Sequence, residues 1–414
     1  MEYDIKDLSL KDKGREKIEW VKDFMPVLSS IEKKYIDAKP LKGVKVSLSL
    51  HLEAKTAYLA VIMQNLGAQI RVCGSNPLST QDDVVAGLVD MGISVFAYRD
   101  INAETYRKHL IQALSHKPNI IIDDGADLAN VLHRERPDLA SDVYGGCEET
   151  TTGVVRFRAM DKQGILKYPM FAINDAACKH LFDNRYGTGQ SALDGIMRTT
   201  NLAIFGKKIV IAGYGWCGKG IAQKAKGMGA NIIVTEVDAV KALEAVMDGF
   251  AVMPMAEAAK TGDIFITVTG DINVITEEHF MLMKNNAVLC NAGHFDCEIM
   301  MSQLKKIAVK IKERRNNITG YYLSNGNVLN VLGEGRLVNL ACADGHAVEI
   351  MDMSFSLQLL TALHVLENYK KLENRLYNVP KQIDDLVAMT KLDSLGVNID
   401  ILTADQKKYM ESWE

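Results

Sequence analysis

The fold is decided by the stretch Ile209-Val-Ile-Ala-Gly-Tyr-Gly-Trp-Cys-Gly-Lys-Gly220. An uninterrupted apolar run leads into Gly213, glycine recurs at Gly215 and Gly218, and a helix-forming run follows. This order predicts a strand, a tight turn and the start of a helix, which is the setting of a dinucleotide-binding G-x-G-x-x-G fingerprint. In such a turn Gly213 closes the bend, Gly215 lets the backbone approach a pyrophosphate, and Gly218 lets the helix pack against the strand.

A second predicted strand completes this βαβ unit. It spans residues 231–235 and ends at Glu236, about 20 residues beyond the glycines. An acid at that distance accepts hydrogen bonds from the adenosine ribose and would repel the 2′-phosphate of NADP. The amide groups that open the helix would face the phosphates. The unit therefore predicts NAD binding, and a purely structural glycine turn is the less favoured alternative.

Composition narrows the class of protein. The 414-residue chain is 48% hydrophobic and 24% charged, with a net charge of −4. Its length predicts two or three domains, and its charge gives no general attraction to nucleic acid or to an anionic membrane. No apolar run approaches the ~20 residues of a membrane span, and the N-terminus lacks a signal-peptide core. The 7 cysteines lack a zinc-type spacing, so we expect reduced thiols, no metal site and a cytoplasmic enzyme.

The first part of the chain alternates between strand and helix patterns. Apolar residues that step by three and four predict one amphipathic helix over residues 18–35. Further predicted elements are a strand at 44–50, a helix at 53–66, and strands at 69–73, 94–98 and 119–122. Ser79-Thr-Gln-Asp82 is a plausible capping box for one of the helices between them. This rhythm predicts a parallel sheet covered on both faces.

The rest of the chain extends the nucleotide-binding unit. Predicted elements are strands at 263–269 and 287–290, a hairpin turn at Asn325-Gly326 and a long helix over 347–372. Residues 382–414 are helical and charged in pattern and are expected to lie apart from both sheets. The predicted fold class is α/β, with two doubly wound parallel-sheet domains and a small helical C-terminal tail.

Polar residues follow several predicted strands, at the edge where ligands bind in open α/β sheets. They are His51, Asp123, Asp124, Glu148, Glu149, the threonines 150–152, Asn174, Asp175, Lys179, Asp183 and His294. Each has an ordinary alternative: a strand-end histidine facing solvent, aspartates capping the next helix, or a surface Lys179–Asp183 pair worth under ~0.5 kcal/mol. Their coincidence with a dinucleotide fold favours a catalytic site, in which a lysine with a lowered pKa could shuttle protons.

Longer motifs at these positions match one enzyme family. They are Asp123-Asp-Gly, Glu148-Glu-Thr-Thr-Thr-Gly153, Asn174-Asp175 with Lys179, Phe182-Asp-Asn-Arg-Tyr-Gly187, Gly213-Tyr-Gly, Gly293-His-Phe-Asp296, Glu334-Gly-Arg-Leu-Val-Asn-Leu340 and Gly345-His346. The chain resembles S-adenosyl-L-homocysteine hydrolases along nearly its full length. The combination is far more specific than any single motif.

The resemblance implies a reaction and a domain plan. Tightly held NAD oxidises the ribose 3′-hydroxyl, the ketone acidifies the C4′ hydrogen, homocysteine leaves from C5′, water adds, and the ketone is reduced again. The implied parts are a catalytic domain of residues 1–185 completed by 346–378, an NAD-binding domain of 186–345, and a C-terminal oligomerisation segment of 379–414. The implied assembly is a homotetramer that acts on a small molecule.

Carried over by motif, Lys179 and Asp183 would contact the ribose hydroxyls and help proton transfer at the 3′ position. Glu149 would hold the ribose. The residues implied or predicted to contact NAD are Thr150, Thr151, Thr152, Asn184, Gly213, Tyr214, Gly215, Trp216, Cys217, Gly218, Glu236, Ala292, Gly293, His294 and Asn339.

The same resemblance assigns proton transfer near C4′ and C5′ to His51, Asp124 and His294. His346 would lie at the hinge and the base-binding region. A plain NAD-dependent 2-hydroxy acid dehydrogenase is an alternative enzyme class, and it would release NADH stoichiometrically. A non-catalytic binding module is a third possibility, in which Lys179, Asp183 and His294 would be dispensable.

Three departures from the family pattern bear on the substrate and the cofactor. Glu53 and Lys55 follow His51 where many members carry an acceptor. Lys55 can only donate, which suits O6 of a hypoxanthine base and makes S-inosyl-L-homocysteine an alternative substrate. Equally, Lys55 could pair with Glu53 outside the pocket.

The second departure is that the sequence ends at Trp413-Glu414, without the Lys- and Tyr-bearing tail of many members. We therefore expect faster NAD exchange. The third is that Lys241 and Thr188 stand where many members carry asparagine and cysteine.

Overall fold

The computed structural model describes residues 1–413 and contains two β-sheets flanked by helices. The strands are β1 Lys45–Leu50, β2 Gln69–Gly74, β3 Ser94–Phe96, β4 Ile120–Asp123, β5 Gly145–Glu148, β6 Met170–Ala172, β7 Lys208–Ala212, β8 Asn231–Thr235, β9 Ala251–Val252, β10 Ile264–Thr267, β11 Val288–Asn291, β12 Ala308–Arg315, β13 Ile318–Leu323, β14 Val328–Leu332 and β15 Leu376–Asn378. The predicted α/β fold class is confirmed.

The first sheet has the order β15-β6-β5-β4-β1-β2-β3, and its strands are parallel. Chain order reverses between β1 and β4, which makes this pair the switch point where doubly wound folds bind ligands. His51 follows β1 and Asp124 follows β4. The two side chains are therefore brought to the same edge.

The second sheet has the order β12-β13-β14-β11-β10-β7-β8-β9. Its switch point lies between β7 and β10, so the glycine turn at Gly213 opens at the corresponding edge. The sheet is mixed, because β12 and β13 are antiparallel, and the prediction of a purely parallel sheet is wrong there. The predicted turn at Asn325-Gly326 is confirmed and joins β13 to β14.

Strand β12 forms one edge of the second sheet and is exposed along nearly its whole length. Lys310, Lys312, Arg314 and Arg315 all lie on it. Charged side chains of this kind prevent an edge strand from pairing with another chain.

The helices cover both faces of each sheet. They are α1 Lys11–Asp23, α2 Pro26–Tyr35, α3 Ala54–Asn65, α4 Asp82–Asp90, α5 Ala103–Leu114, α6 Asp127–Asn130, α7 Thr151–Lys162, α8 Ala177–Lys179, α9 Thr188–Thr200, α10 Trp216–Gly227, α11 Ala239–Met247, α12 Met255–Ala259, α13 Glu277–Phe280, α14 Met301–Ile307, α15 Val338–Ala341, α16 Val348–Asn368, α17 Lys381–Ser394 and α18 Ala404–Glu411.

Two local predictions are wrong. The single helix expected over residues 18–35 is broken into α1 and α2 at Pro26, because proline lacks an amide hydrogen and starts a helix far better than it continues one. Helix α4 begins at Asp82 with Gln81 before it, and no side chain caps it. Ser79 instead contacts His51, so the predicted capping box does not form.

The long helix α16 is buried along most of its length and carries buried polar residues. The Asp352 carboxylate accepts hydrogen bonds from the backbone amides of Val27 and Leu28 at 3.1 and 2.9 Å. It also pairs with Lys391 on α17 at 3.1 Å. These contacts fix α16 against both ends of the chain.

The C-terminal residues are helical, as predicted, and lie outside both sheets. Helix α17 packs against α16 and α2 and buries Val387, whereas α18 buries none of its residues. Strand β15, which precedes them, joins the first sheet beside β6 and was not predicted. Glu414 lies outside the described residues. Within residues 1–413, no helix is both long enough and apolar enough to span a lipid bilayer.

Candidate active site

The carboxyl edges of the two sheets face a common cavity of 1690 Å³. Both halves of the chain contribute to its wall. Sequence-predicted residues that line it are His51, Glu53, Lys55, Asp124, Glu149, Thr150, Thr151, Thr152, Lys179, Asp183, Asn184, Gly213, Gly215, Trp216, Cys217, Glu236, Ala292, Gly293, His294, Asn339 and His346. Tyr214 and Gly218 lie behind the wall.

The glycine turn has the geometry of a phosphate cradle. Gly213 has φ +102°, and a Cβ there would lie 2.9 Å from the Val268 carbonyl oxygen. A Cβ on Gly218 would lie 2.1 Å from the Gly213 oxygen, so only glycine lets α10 approach the turn this closely. A Cβ on Gly215 would meet no atom within 4 Å, and this residue faces the cavity. The turn therefore leaves room for a pyrophosphate at the N-terminus of α10.

Glu236 lies at the end of β8, where a ribose-binding acid is expected. One carboxylate oxygen accepts from the Tyr214 amide at 2.7 Å, and the other accepts from the Val237 amide at 2.7 Å. Its side chain is thus held in place at the cavity wall. The Tyr214 hydroxyl donates to Asp248 at 2.5 Å, so its ring packs away from the cavity.

Asn339 presents an acceptor with no partner. Its side-chain nitrogen donates to the Ser191 hydroxyl at 3.1 Å, and its side-chain oxygen is buried without a hydrogen bond among the described residues. A buried carbonyl oxygen in a cavity wall usually awaits a donor from a ligand or a water molecule. With the glycine turn and Glu236, it forms a set of residues that fits NAD.

The Lys179 ammonium is enclosed by acceptors. Its Nζ donates to the Asn184 side-chain oxygen at 2.8 Å and lies 3.4 Å from Asp183 and 3.5 Å from Glu149. All four side chains are buried, so the alternative of a surface Lys179–Asp183 pair is wrong. Asn184 in turn donates to Asn174 at 2.9 Å.

This cluster sets the protonation of its members. Burial acts to lower the pKa of Lys179, but the Asp183 and Glu149 carboxylates outweigh it and leave that pKa above its ordinary value. Burial likewise opposes ionisation of Asp183, yet Lys179 and His346 hold its pKa below the usual range. Burial raises the pKa of Glu149 to about 7. The lowered lysine pKa expected from the sequence is therefore not produced by the protein alone.

A second proton-handling group spans the cavity. His51 Nε2 lies 3.5 Å from Asp124, and His294 Nδ1 lies 3.9 Å from the other oxygen of the same carboxylate. Asp124 also accepts from the Ser75 hydroxyl at 2.9 Å, and His51 Nδ1 lies 2.8 Å from the Ser79 hydroxyl. Since His294 comes from the second sheet, this contact connects the two halves of the chain.

The protonation of His51 makes stability depend on pH. Burial lowers the pKa of His51 to about 4, against an unfolded value of about 6.5. A lowered folded-state pKa contributes stability that is present above about pH 6.5 and is lost as pH falls towards 4. Between pH 7 and 4.5 we expect the wild type to lose about 2 kcal/mol more than a His51→Asn variant. Urea unfolding at a series of pH values measures the difference, and parallel curves would contradict it.

The neighbouring acids have structural tasks. Asp123 caps α6 by accepting from the Leu128 and Ala129 amides at 3.2 and 2.9 Å, so the capping alternative is confirmed for Asp123 and not for Asp124. Buried Glu148 accepts from the amides of Gly125 and Ala126 at 2.8 and 3.0 Å. These bonds fix the loops that carry Asp124 and Glu149.

His346, Glu53 and Lys55 lie at the opposite side of the cavity. His346 bridges Asp183 at 3.0 Å and the Thr188 hydroxyl at 3.2 Å. Lys55 Nζ lies 2.7 Å from Glu53 and donates to the Asp344 carbonyl oxygen at 3.2 Å. The two residues do pair, but inside the cavity wall, so the alternative that placed the pair outside it is wrong.

Some residues that hold the site were not predicted. Ser354 donates to Asp183 at 2.7 Å, and Gln358 donates to Glu149 at 2.5 Å, both from α16. They are polar residues spaced four apart in an otherwise apolar helix, and that spacing was a usable signal. Ser75 and Ser79 lie in a loop and carry no comparable signal.

Comparison with known proteins identifies the family. Residues 2–140 match a family model described as S-adenosyl-L-homocysteine hydrolase, and residues 184–345 match that family's NAD binding domain. The chain is 56% identical over 413 residues to adenosylhomocysteinase from Thermococcus kodakarensis, covering 100% of this chain and 98% of that protein. It is 54% identical over 411 residues to S-inosyl-L-homocysteine hydrolase from Methanocaldococcus jannaschii, covering 99% of each.

Among solved structures, a dipicolinate synthase chain from Bacillus halodurans matches with a TM-score of 0.49 and 13% identity, covering 79% of this chain and 99% of that chain, which is too low a likeness to support an argument. The full-length relatives and the two family models agree with the NAD cradle and with the buried lysine and carboxylates. The chain belongs to the S-adenosyl-L-homocysteine hydrolase family.

Proposed function

We propose that this enzyme hydrolyses S-adenosyl-L-homocysteine reversibly to adenosine and L-homocysteine, using NAD that is restored in each turnover. The observation that carries the proposal is the Lys179 ammonium, held between Glu149 and Asp183 in the same cavity as the glycine turn. A 2-hydroxy acid dehydrogenase would leave this buried cluster of two carboxylates and a lysine without a task.

Bound NAD would supply the acceptor that takes hydride from the ribose 3′ carbon and later returns it. The protein would hold the ribose through hydrogen bonds. Lys179 donates, while Asp183 and Glu149 accept, which suits two neighbouring hydroxyls. A cationic ring nearby would lower the pKa of Lys179 by like-charge repulsion, so that its amine could receive the 3′-hydroxyl proton.

Proton transfer at C4′ would fall to the group across the cavity. Neutral His51 and the Asp124 carboxylate are bases in position, and the 3′-ketone makes the C4′ hydrogen acidic enough for them. Asp124 retains one buried oxygen without a hydrogen bond among the described residues. That oxygen is the atom we assign to contact the substrate, with His294 completing the group from the other half of the chain.

The base of the nucleoside would lie against Lys55. The ammonium already donates to Glu53 and to the Asp344 carbonyl, which leaves one hydrogen for the substrate. That hydrogen can serve N1 of adenine or O6 of hypoxanthine. Lys55 in the cavity wall thus favours a second candidate, S-inosyl-L-homocysteine hydrolysis to inosine and homocysteine, by the same mechanism.

Thiol release from the adenosyl and inosyl substrates, measured side by side on NAD-loaded enzyme, tests both candidates. We expect release from at least one substrate, with no stoichiometric NADH. A preference for the inosyl compound that falls about tenfold or more in Lys55→Gln would show that Lys55 reads the base. No thiol from either substrate, with accumulation of NADH from a hydroxy acid, would replace the proposal with the dehydrogenase.

We also propose that the enzyme is a cytoplasmic homotetramer whose C-terminal residues pack on another copy. Helix α18 buries no residue, and Tyr409, Met410 and Trp413 are exposed. The outer face of α11 exposes Val240 and Met247, which offers an apolar surface of the same kind. Light scattering should report four chains, and removal of residues 398–414 should reduce that number. A monomer at micromolar concentration would contradict this arrangement.

A further inference from the structure

Lys179, Asp183 and Asn184 belong to one helical segment, because α8 continues directly into a π-helical stretch, His180–Gly187. The residue before this segment, Ala176, is extended (φ −65°, ψ 143°) and has no side-chain acceptor. The first amides of a helix need acceptors from outside the helix. The segment that carries the site's lysine therefore cannot cap its own beginning.

The missing acceptors come from the C-terminal helix α17. One oxygen of Asp384 accepts from the Ala177 amide at 2.7 Å, and the other accepts from the Cys178 amide at 2.8 Å. The Cys178 thiol also donates to the Asp384 backbone oxygen at 3.4 Å. A carboxylate at this end of a helix is further favoured by the helix dipole.

Helix α17 is itself firmly attached. Lys391 pairs with buried Asp352 of α16, and Val387 is buried against the same domain. Asp384 is therefore held on a fixed support and is bound to the two amides that immediately precede Lys179. The lysine nitrogen has acceptors on three sides at 2.8 to 3.5 Å, so a small shift of its backbone would break this arrangement.

We infer that Asp384 is a positioning residue for Lys179. It fixes the start of the segment from which Lys179, Asp183 and Asn184 reach the substrate, and this inference rests on the proposed function. Misplacement of a reacting group by about 1 Å costs on the order of 100-fold in rate. The C-terminal helix thus takes part in catalysis without lining the cavity.

The test compares Asp384→Ala and Asp384→Asn with Asp385→Asn. Asp385 is the neighbouring acid on α17, and it is exposed and pairs only with Lys381, which makes it a matched control. We expect kcat for thiol release to fall about 30- to 100-fold in Asp384→Ala, with KM changed less than about threefold. Asp384→Asn, which keeps one acceptor oxygen, should recover part of the loss. The control should match the wild type.

Two further readouts separate positioning from a loss of stability. The midpoint of the kcat–pH profile should move in Asp384→Ala, because Lys179 changes its distance from two carboxylates. Hydrogen–deuterium exchange of residues 174–188 should accelerate in that variant and not in Asp385→Asn. Should Asp384→Ala fail to fold, Asp384→Asn carries the same comparisons.

Faster exchange with unchanged kcat and pH profile would overturn the positioning role, and unchanged exchange would overturn the contact itself. Wild-type enzyme that releases no thiol would count against the proposed function, while the exchange measurement would still decide the contact.

Discussion

The Lys179→Met variant is expected to release thiol at least about 1000-fold more slowly than the wild type while retaining NAD. Methionine has a similar length but cannot donate to the ribose or receive its proton. It also leaves Glu149 and Asp183 facing each other without the cation that lies 3.5 and 3.4 Å from them. Thiol release and the NAD content of the purified protein are the two measurements.

The control for that experiment is Lys224→Met, the same change at an exposed position of α10. It should leave both quantities at wild-type values. Unchanged thiol release in Lys179→Met would remove Lys179 from the mechanism. Loss of NAD together with activity would instead make it a cofactor-binding residue.

The Gly218→Ala variant is expected to lose NAD binding and about 3 kcal/mol of the free energy of unfolding. Its added Cβ would lie 2.1 Å from the Gly213 backbone oxygen, and neither backbone can move without opening the phosphate turn. Dialysed variant protein should therefore contain little cofactor, which absorbance and mass spectrometry of the released nucleotide can quantify.

The matched control is Gly227→Ala at the other end of α10. A Cβ there meets no atom within 4 Å, and alanine is a better helix former than glycine. We expect stability equal to the wild type or up to about 1 kcal/mol higher, with NAD retained. Equal NAD content in both variants would show that α10 adjusts to the added methyl group.

Local patterns explain why much of the fold was predictable. The glycine turn and the alternation of strands with helices are encoded within short stretches, and their switch points follow from strand order. Strand β15 could not be found in this way, because it has three residues and pairs with β6 about 200 positions earlier. The break at Pro26 had a local signal, but the regular apolar spacing on both sides of it obscured that signal.

Side chains whose tasks depend on distant partners could not be predicted from the sequence. Ser79 matched a capping motif, yet its hydroxyl lies beside a histidine that comes 28 positions earlier. Asp384 reads as an ordinary acid near the start of a charged helix, and nothing nearby indicates that it binds amides 207 and 206 positions away. Strand-end residues such as Asp124 were found because their position in the topology is itself a local property.

The exposed edge strand β12 has a consequence for the behaviour of concentrated enzyme. Two copies that tried to join their sheets through this strand would set Lys310 and Lys312 of each copy against like charges of the other. Fibrillar stacking is therefore disfavoured at a strand that offers free backbone groups along eight residues. The positive edge acts as a gatekeeper that keeps the enzyme dispersed in a crowded solution.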